Sequence, residues 1–166
     1  MIEQAIELAV VNAIQNLGIT DLTVGGFWQP AAAGILKDLE RDDVTSVVRV
    51  TAAPRRYDAF TSPKCEIQIS IVLAVLVDRA PDGAALALSA KPIIDLLETW
   101  QRNIDSVKSA FTVDGFTPNG FRNDGGNASL DRKAGAWLVP MSVTVRGIIT
   151  PTTPSSEEPQ TQGATP

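Results

Sequence analysis

Histidine is absent from the 166 residues. Its absence removes the commonest general base, the usual base of a nucleophilic triad and the commonest zinc ligand. A single cysteine, Cys65, excludes an internal disulfide and any cysteine-cluster metal site. Aromatic residues make up only 5%, too few to suggest a stacking platform for single-stranded nucleic acid. No apolar run approaches the roughly 20 residues a membrane span requires. The N-terminus shows no basic start followed by an apolar stretch, so it reads as lacking a signal peptide. A net charge of −5 argues against broad nucleic-acid or membrane binding through surface charge, while leaving room for a local basic patch.

What is present suits one domain with a real core. Ile2, Ile6, Val10, Ala13, Ile14 and Leu17 recur at helical spacing, with Glu3, Gln4, Glu7, Asn12 and Gln15 on the other side. The spacing predicts an amphipathic helix over 2–17, stopped by Gly18. Gly25-Gly26 and Pro30 break regular structure in 19–32, where Phe27 and Trp28 read as core anchors. Residues 34–41 read as a short helix or an extended loop. Residues 44–52, rich in Val and Thr, predict a strand. A loop, APRRYDAFTSP, follows over 53–63.

The stretch KCEIQISIVLAVLVD, 64–78, is the second strand. Fully extended it would span about 50 Å at roughly 3.3 Å per residue, well beyond the usual 5–6 or so residues. Its first half alternates, with Cys65, Ile67, Ile69 and Ile71 on one side and Lys64, Glu66, Gln68 and Ser70 on the other. Its second half is apolar throughout. One helical layer covers only one face, so a neighbouring subunit is the simplest cover for the other. After a turn at Pro81 and Asp82-Gly83, residues 84–104 predict a helix. Pro92 either kinks it or opens its true first turn, and Ile93, Leu96, Leu97, Trp100 and Ile104 form the buried stripe. Residues 107–113 read as a short strand. Residues 114–135 read as a long loop, with Asp114-Gly115, Asn119-Gly120 and Asp124-Gly125-Gly126; such loops are functional or disordered.

Trp137, Val139, Met141, Val143 and Val145 alternate through the last strand, 136–149, where Pro140 implies a sheet edge or a bulge. The Pro- and Thr-rich remainder, 150–166, reads as a disordered tail. The element order predicts an α+β domain over 1–149: a mainly antiparallel sheet with helices packed on one face.

No enzyme motif stands out. Asp42-Asp43 reads as a solvated turn, and Glu157-Glu158 as part of a solvated tail. The 114–131 segment lacks the alternating acids and terminal Glu of a calcium loop. The glycines match neither a phosphate loop nor a dinucleotide fingerprint. Asn127-Ala128-Ser129 fits a glycosylation acceptor but carries no weight without a secretory signal. Cys65 has the parity of a buried structural thiol, and Trp28, Trp100 and Trp137 that of core anchors. Arg49, Glu66 and Arg146 share a polar parity that suggests a cross-strand charge ladder. Arg55-Arg56 reads as a solubilising loop, with contact to phosphate or an acidic partner as the alternative. No metal or cofactor is expected.

The starting helix, RVTAAPRRYDAFTSPKCEIQISIVLAVLVD, the helix ending IIDLLETWQRNI, then FTVDG, a Gly-rich loop and WLVPMSVTVRGII follow in order. This layout, over about 1–149, resembles the tail terminator (tail completion) proteins of long-tailed bacteriophages. It is loosely similar to minor tail and head–tail joining proteins of the same fold. The resemblance implies a non-catalytic virion protein, assembled in the host cytoplasm. It would form a ring, typically of six subunits, on the last ring of the tail tube. The ring would end tube growth, meet the connector of the head and pass DNA through its bore without specific binding. No membrane partner is implied. Contacts through sheet and loops would fall on Arg55, Arg56, Tyr57 and Phe60 in the first loop. They would also involve Val72, Ala74 and Leu76 in the two-sided strand, and Phe116, Phe121 and Arg122 in the Gly-rich loop. Two alternatives stand beside this: another tail or neck component, such as a tube subunit or connector, or a small enzyme or ligand-binding domain with a pocket under 114–135. The pocket reading predicts convergent polar groups and perturbed carboxylates.

Overall fold

A computed structural model of the protein describes residues 2–26, 44–53 and 63–150 and the backbone of 56–57. The expectations for Phe27, Trp28, 34–41, Asp42-Asp43 and the tail beyond Thr150 lie outside the described residues.

Helix α1 (Ile2–Gln15) leads into strand β1 (Leu22–Gly26) through Gly18, whose φ of +66° ends the helix in the left-handed region. Strands β2 (Ser46–Ala52), β3 (Arg56–Tyr57) and β4 (Lys64–Leu76) follow. Then come helices α2 (Gly83–Arg102) and α3 (Ile104–Phe111), and strands β5 (Phe116–Gly125), β6 (Ser129–Asp131) and β7 (Ala136–Ile149). The strands join in one sheet in the order β1-β2-β4-β7-β5, with β3 paired to β4 and β6 to β7. Among the described strands only the β1–β2 pair is parallel. The α+β class and the mainly antiparallel sheet are as expected.

The long strand is real. β4 is 13 residues and pairs along its length with β7, from Lys64↔Ile148 to Leu76↔Ala136. Its odd positions, Cys65 to Val75, enter the main core with Val48 and Val50 of β2 and Val143 and Val145 of β7. Ile6, Val10 and Ile14 of α1, Leu97 and Trp100 of α2, and Val107 and Phe111 of α3 complete that core, so the helices pack on this one face. On the opposite face Ala74 meets Val44, Val47 and Ala136 in a second small cluster. Ala74 is 0% exposed within the single subunit, which corrects, at this position, the expectation that a neighbouring subunit is the simplest cover.

Other expectations are corrected. Gly25-Gly26 does not break regular structure but ends β1. A Cβ on Gly26 would overlap the Glu7 carboxylate, so glycine is what lets α1 approach there. Glu3 and Glu7 are buried rather than solvated, and Glu7 Oε2 accepts a 3.2 Å hydrogen bond from the Ala52 amide at the end of β2. The expected helix over 84–104 is α2, which starts at Gly83, where the Asp82 carboxylate caps it by accepting from the Ala85 amide at 2.8 Å; of the two readings of Pro92 the first-turn one is excluded, since Pro92 is interior and the stripe Leu86, Ala90, Ile93, Leu97 and Trp100 carries the helix past it.

Residues 107–113 are not a strand. Asn103 Oδ1 accepts from the amides of Asp105 at 3.0 Å and Ser106 at 3.4 Å, and this cap opens α3.

The expected loop 114–135 is largely β5 and β6, both laid on β7. Register shifts at Pro118/Gly120 and Asn123/Gly125 break the alternation that would have revealed β5. At the β6–β7 turn, Asp131 Oδ1 accepts from the amides of Lys133 and Ala134, and Gly135 takes a φ of +62°. Pro140 is not at a sheet edge, because β4 lies on one side of β7 and β5 and β6 on the other. It faces the gap between β5, which ends opposite Ser142, and β6, which begins opposite Leu138. A Cβ on Gly126 would overlap the Pro140 carbonyl, so the connection crosses closely where the missing N–H costs no ladder bond.

Candidate functional site on the open face of the sheet

The face of the sheet away from the helices carries the even positions of β4 and β7. From one end these are Glu66, Gln68, Ser70, Val72, Ala74 and Leu76, beside Ile148, Arg146, Thr144, Ser142, Pro140 and Leu138. Arg49 and Thr51 of β2 flank them on one side and Arg122 of β5 on the other. Gln68, Ser70, Ser142 and Arg146 are exposed, so this face meets solvent at its centre. Its polar end is held by ion pairs. Arg146 Nε lies 2.6 Å from Glu66 Oε1, the residue directly opposite in register. Arg49 stands opposite Val72 instead, so the expected charge ladder joins Glu66 to Arg146 and does not extend to Arg49.

Beside this pair lies a second group. Arg122 Nε donates to Asp124 Oδ1, and Thr144 Oγ1 donates to Asp124 Oδ2 at 2.9 Å. Arg122 Nη2 in turn reaches the Thr144 hydroxyl at 3.4 Å, and Thr144 is fully buried beneath them. The hydrogen bond from Arg122 holds the Asp124 carboxyl below the usual carboxylate range, helped by the Thr144 hydroxyl and the nearby guanidinium charges. Burial opposes the shift. A carboxyl whose folded pKa is depressed stabilises the fold above its unfolded pKa. That stabilisation is lost as pH falls through the folded value. Wild type is therefore expected to lose its advantage over Asp124→Asn as pH falls below about 4, and the denaturation midpoint of Asp124→Asn, the lower of the two at neutral pH, should depend less on pH there. Chemical denaturation across that range checks it. Because the pair is solvated, the effect is small.

At the apolar end, Leu76, Val77 and Asp78 face Leu130, Arg132, Ala134 and Gly135 of the β6–β7 hairpin across a shallow cleft of about 570 Å³. Leu76 and Leu138 also border the small second cluster. The open face thus grades from paired charges through Ser70 and Ser142 to an apolar margin. Mutually neutralised charges on a rigid sheet suit recognition by shape and hydrogen bonding more than ionic steering.

The sequence matches no protein-family model and no curated protein.

Of the residues expected at contacts, Val72, Leu76 and Arg122 share the open face. Ala74 and Phe116 do not qualify, because both are buried within the subunit. Phe116 fits against Gly147, where a Cβ would overlap its ring. Phe121 points to the other face and packs edge-on to Trp100 at 5.7 Å. The backbones of Arg56 and Tyr57 pair with Glu66 and Cys65 as β3, whereas Arg55 and Phe60 lie outside the described residues. Cys65 is buried, as its parity implies. Sequence reasoning missed Leu138 and Asp124 as members of this face. Strand parity would have found Leu138, but the second register shift hides Asp124.

The free edge of β5 is blunted. Pro118 has no N–H to offer, the two bulges twist the strand, and Gln101 Oε1 takes the Asn123 amide at 2.7 Å. These features make the β5 edge a poor template for strand pairing.

Proposed function

We propose that the protein is a structural subunit of a bacteriophage tail or neck, of the tail terminator kind. It assembles with its own copies into a ring at the end of the tail tube, ends tube growth and meets the connector of the head. DNA passes through the bore without specific binding, and the protein turns over no substrate. The observation that carries this reading is the sheet backed by helices on one face, with its other face open and graded from ion pairs to apolar residues. A surface of that kind serves a protein partner. The element order is the one on which the resemblance to terminators rests, and another tail or neck component, such as a tube subunit or connector, is the alternative assembly role. The cleft beside Leu76 supports a second reading, a ligand-binding domain, in which the face is incidental.

The test is electron microscopy of particles from a phage lacking this gene. Tails of abnormal length lying apart from DNA-filled heads are expected. Normal heads with no tubes would assign a tube or initiation role, and intact joined virions would overturn the assembly reading.

A further inference from the structure

We propose that Asn119 is a site of spontaneous covalent modification, where an amide on the β5 strand becomes aspartate and isoaspartate. Three observations converge there. Asn119-Gly120 is the only Asn-Gly pair in the sequence, and glycine puts no Cβ in the way of ring closure. The pairing with β7 steps from Pro118↔Gly147 to Gly120↔Arg146, which leaves Asn119 as the extra residue of a bulge, outside the ladder. Its side chain is exposed and, among the described residues, has no hydrogen-bond partner. The other asparagines of this region differ. Asn103 is held as the cap of α3, and the Asn123 carboxamide oxygen accepts from the Gly125 amide at 3.0 Å.

The chemistry needs only water. The Gly120 backbone nitrogen attacks Cγ of Asn119, the bond from Cγ to the carboxamide nitrogen breaks, and ammonia leaves with the proton from the Gly120 nitrogen. The resulting succinimide is opened by water at either carbonyl. One product is aspartate; the other is isoaspartate, which adds a carbon to a backbone already out of register. Either adds a negative charge to the strand that carries Arg122.

The experiment incubates the full native protein in mildly alkaline buffer and follows each asparagine by peptide mapping, with isoaspartyl methyltransferase labelling to identify the rearranged product. Asn127, exposed and followed by alanine, is the internal reference. Asn119 is expected to convert roughly tenfold faster than Asn127, the change that about 1.4 kcal/mol of barrier produces. Gly120→Ala should bring it down to the reference rate. A Cβ there meets Arg146 Cβ at 3.6 Å, an ordinary contact, so the variant keeps its fold, as circular dichroism would verify. Conversion of Asn119 no faster than Asn127 overturns the proposal. So does conversion seen only after unfolding in urea, which would mean that the bulge holds the pair apart.

Discussion

Phe111→Ala is expected to remove about 3–5 kcal/mol of stability, the usual result of deleting a buried aromatic ring. Against the 5–15 kcal/mol or so that holds a typical domain, that is a large fraction. Phe111 is 0% exposed and is the last residue of α3. Its ring lies 4.8 Å from Trp100 in an edge contact and 6.3 Å from Phe121 in a stacked one. It therefore joins α2, α3 and β5 at one point. The short α3 has no other large buried ring to keep it on the sheet, since its partner in the stripe is Val107. Phe121→Ala should cost less, because that ring is only half buried. The double variant should cost less than the sum, because the two rings touch. Urea midpoints for the three variants decide the matter. A Phe111→Ala midpoint close to wild type would show that α3 does not dock as described.

That same residue shows why part of the fold was illegible. Val107 and Phe111 are four apart, and both a strand of period two and a helix of period 3.6 place such a pair on one side. The pattern alone could not choose; the Asn103 cap chose. The long run of β4 was legible because Cys65, Ile67, Ile69, Ile71 and Leu73 keep a strict period with nothing to disturb it. β5 was hidden by its two bulges, each of which flips the parity, so its polar residues looked like loop. β1 was hidden by Gly25-Gly26, read as a break when Gly26 makes room for Glu7. At the site, Val72, Leu76 and Arg122 could be named from the run of apolar residues and from charge. That Ala74 would be buried by Val44, Val47 and Ala136 could not, because it depends on how distant segments meet.

Val72→Glu is expected to leave the monomer folded and weaken self-assembly at least a hundredfold, or about 3 kcal/mol. Val72 sits at the middle of β4 on the open face, half buried, between Arg49 of β2 and Pro140 of β7 in register. In the free subunit a carboxylate there keeps contact with water and gains a cation across the strand, so the cost to folding stays near the 1 kcal/mol or so spanned by strand propensities. In an assembly that covers the face, the carboxylate and the Arg49 guanidinium opposite it both lose their water, and desolvating such a pair costs more than their attraction returns unless further hydrogen bonds satisfy it. Leu88→Glu is the control. Leu88 is 71% exposed on α2, on the helical side of the domain. It should change neither folding nor assembly. Sedimentation of both variants, with complementation of the gene-deleted phage, separates the outcomes. Loss of assembly in Val72→Glu alone places the contact on the sheet. Loss in Leu88→Glu alone moves it to the helices. Normal assembly of both would remove the open face from the mechanism and leave the cleft beside Leu76 as the feature to be explained.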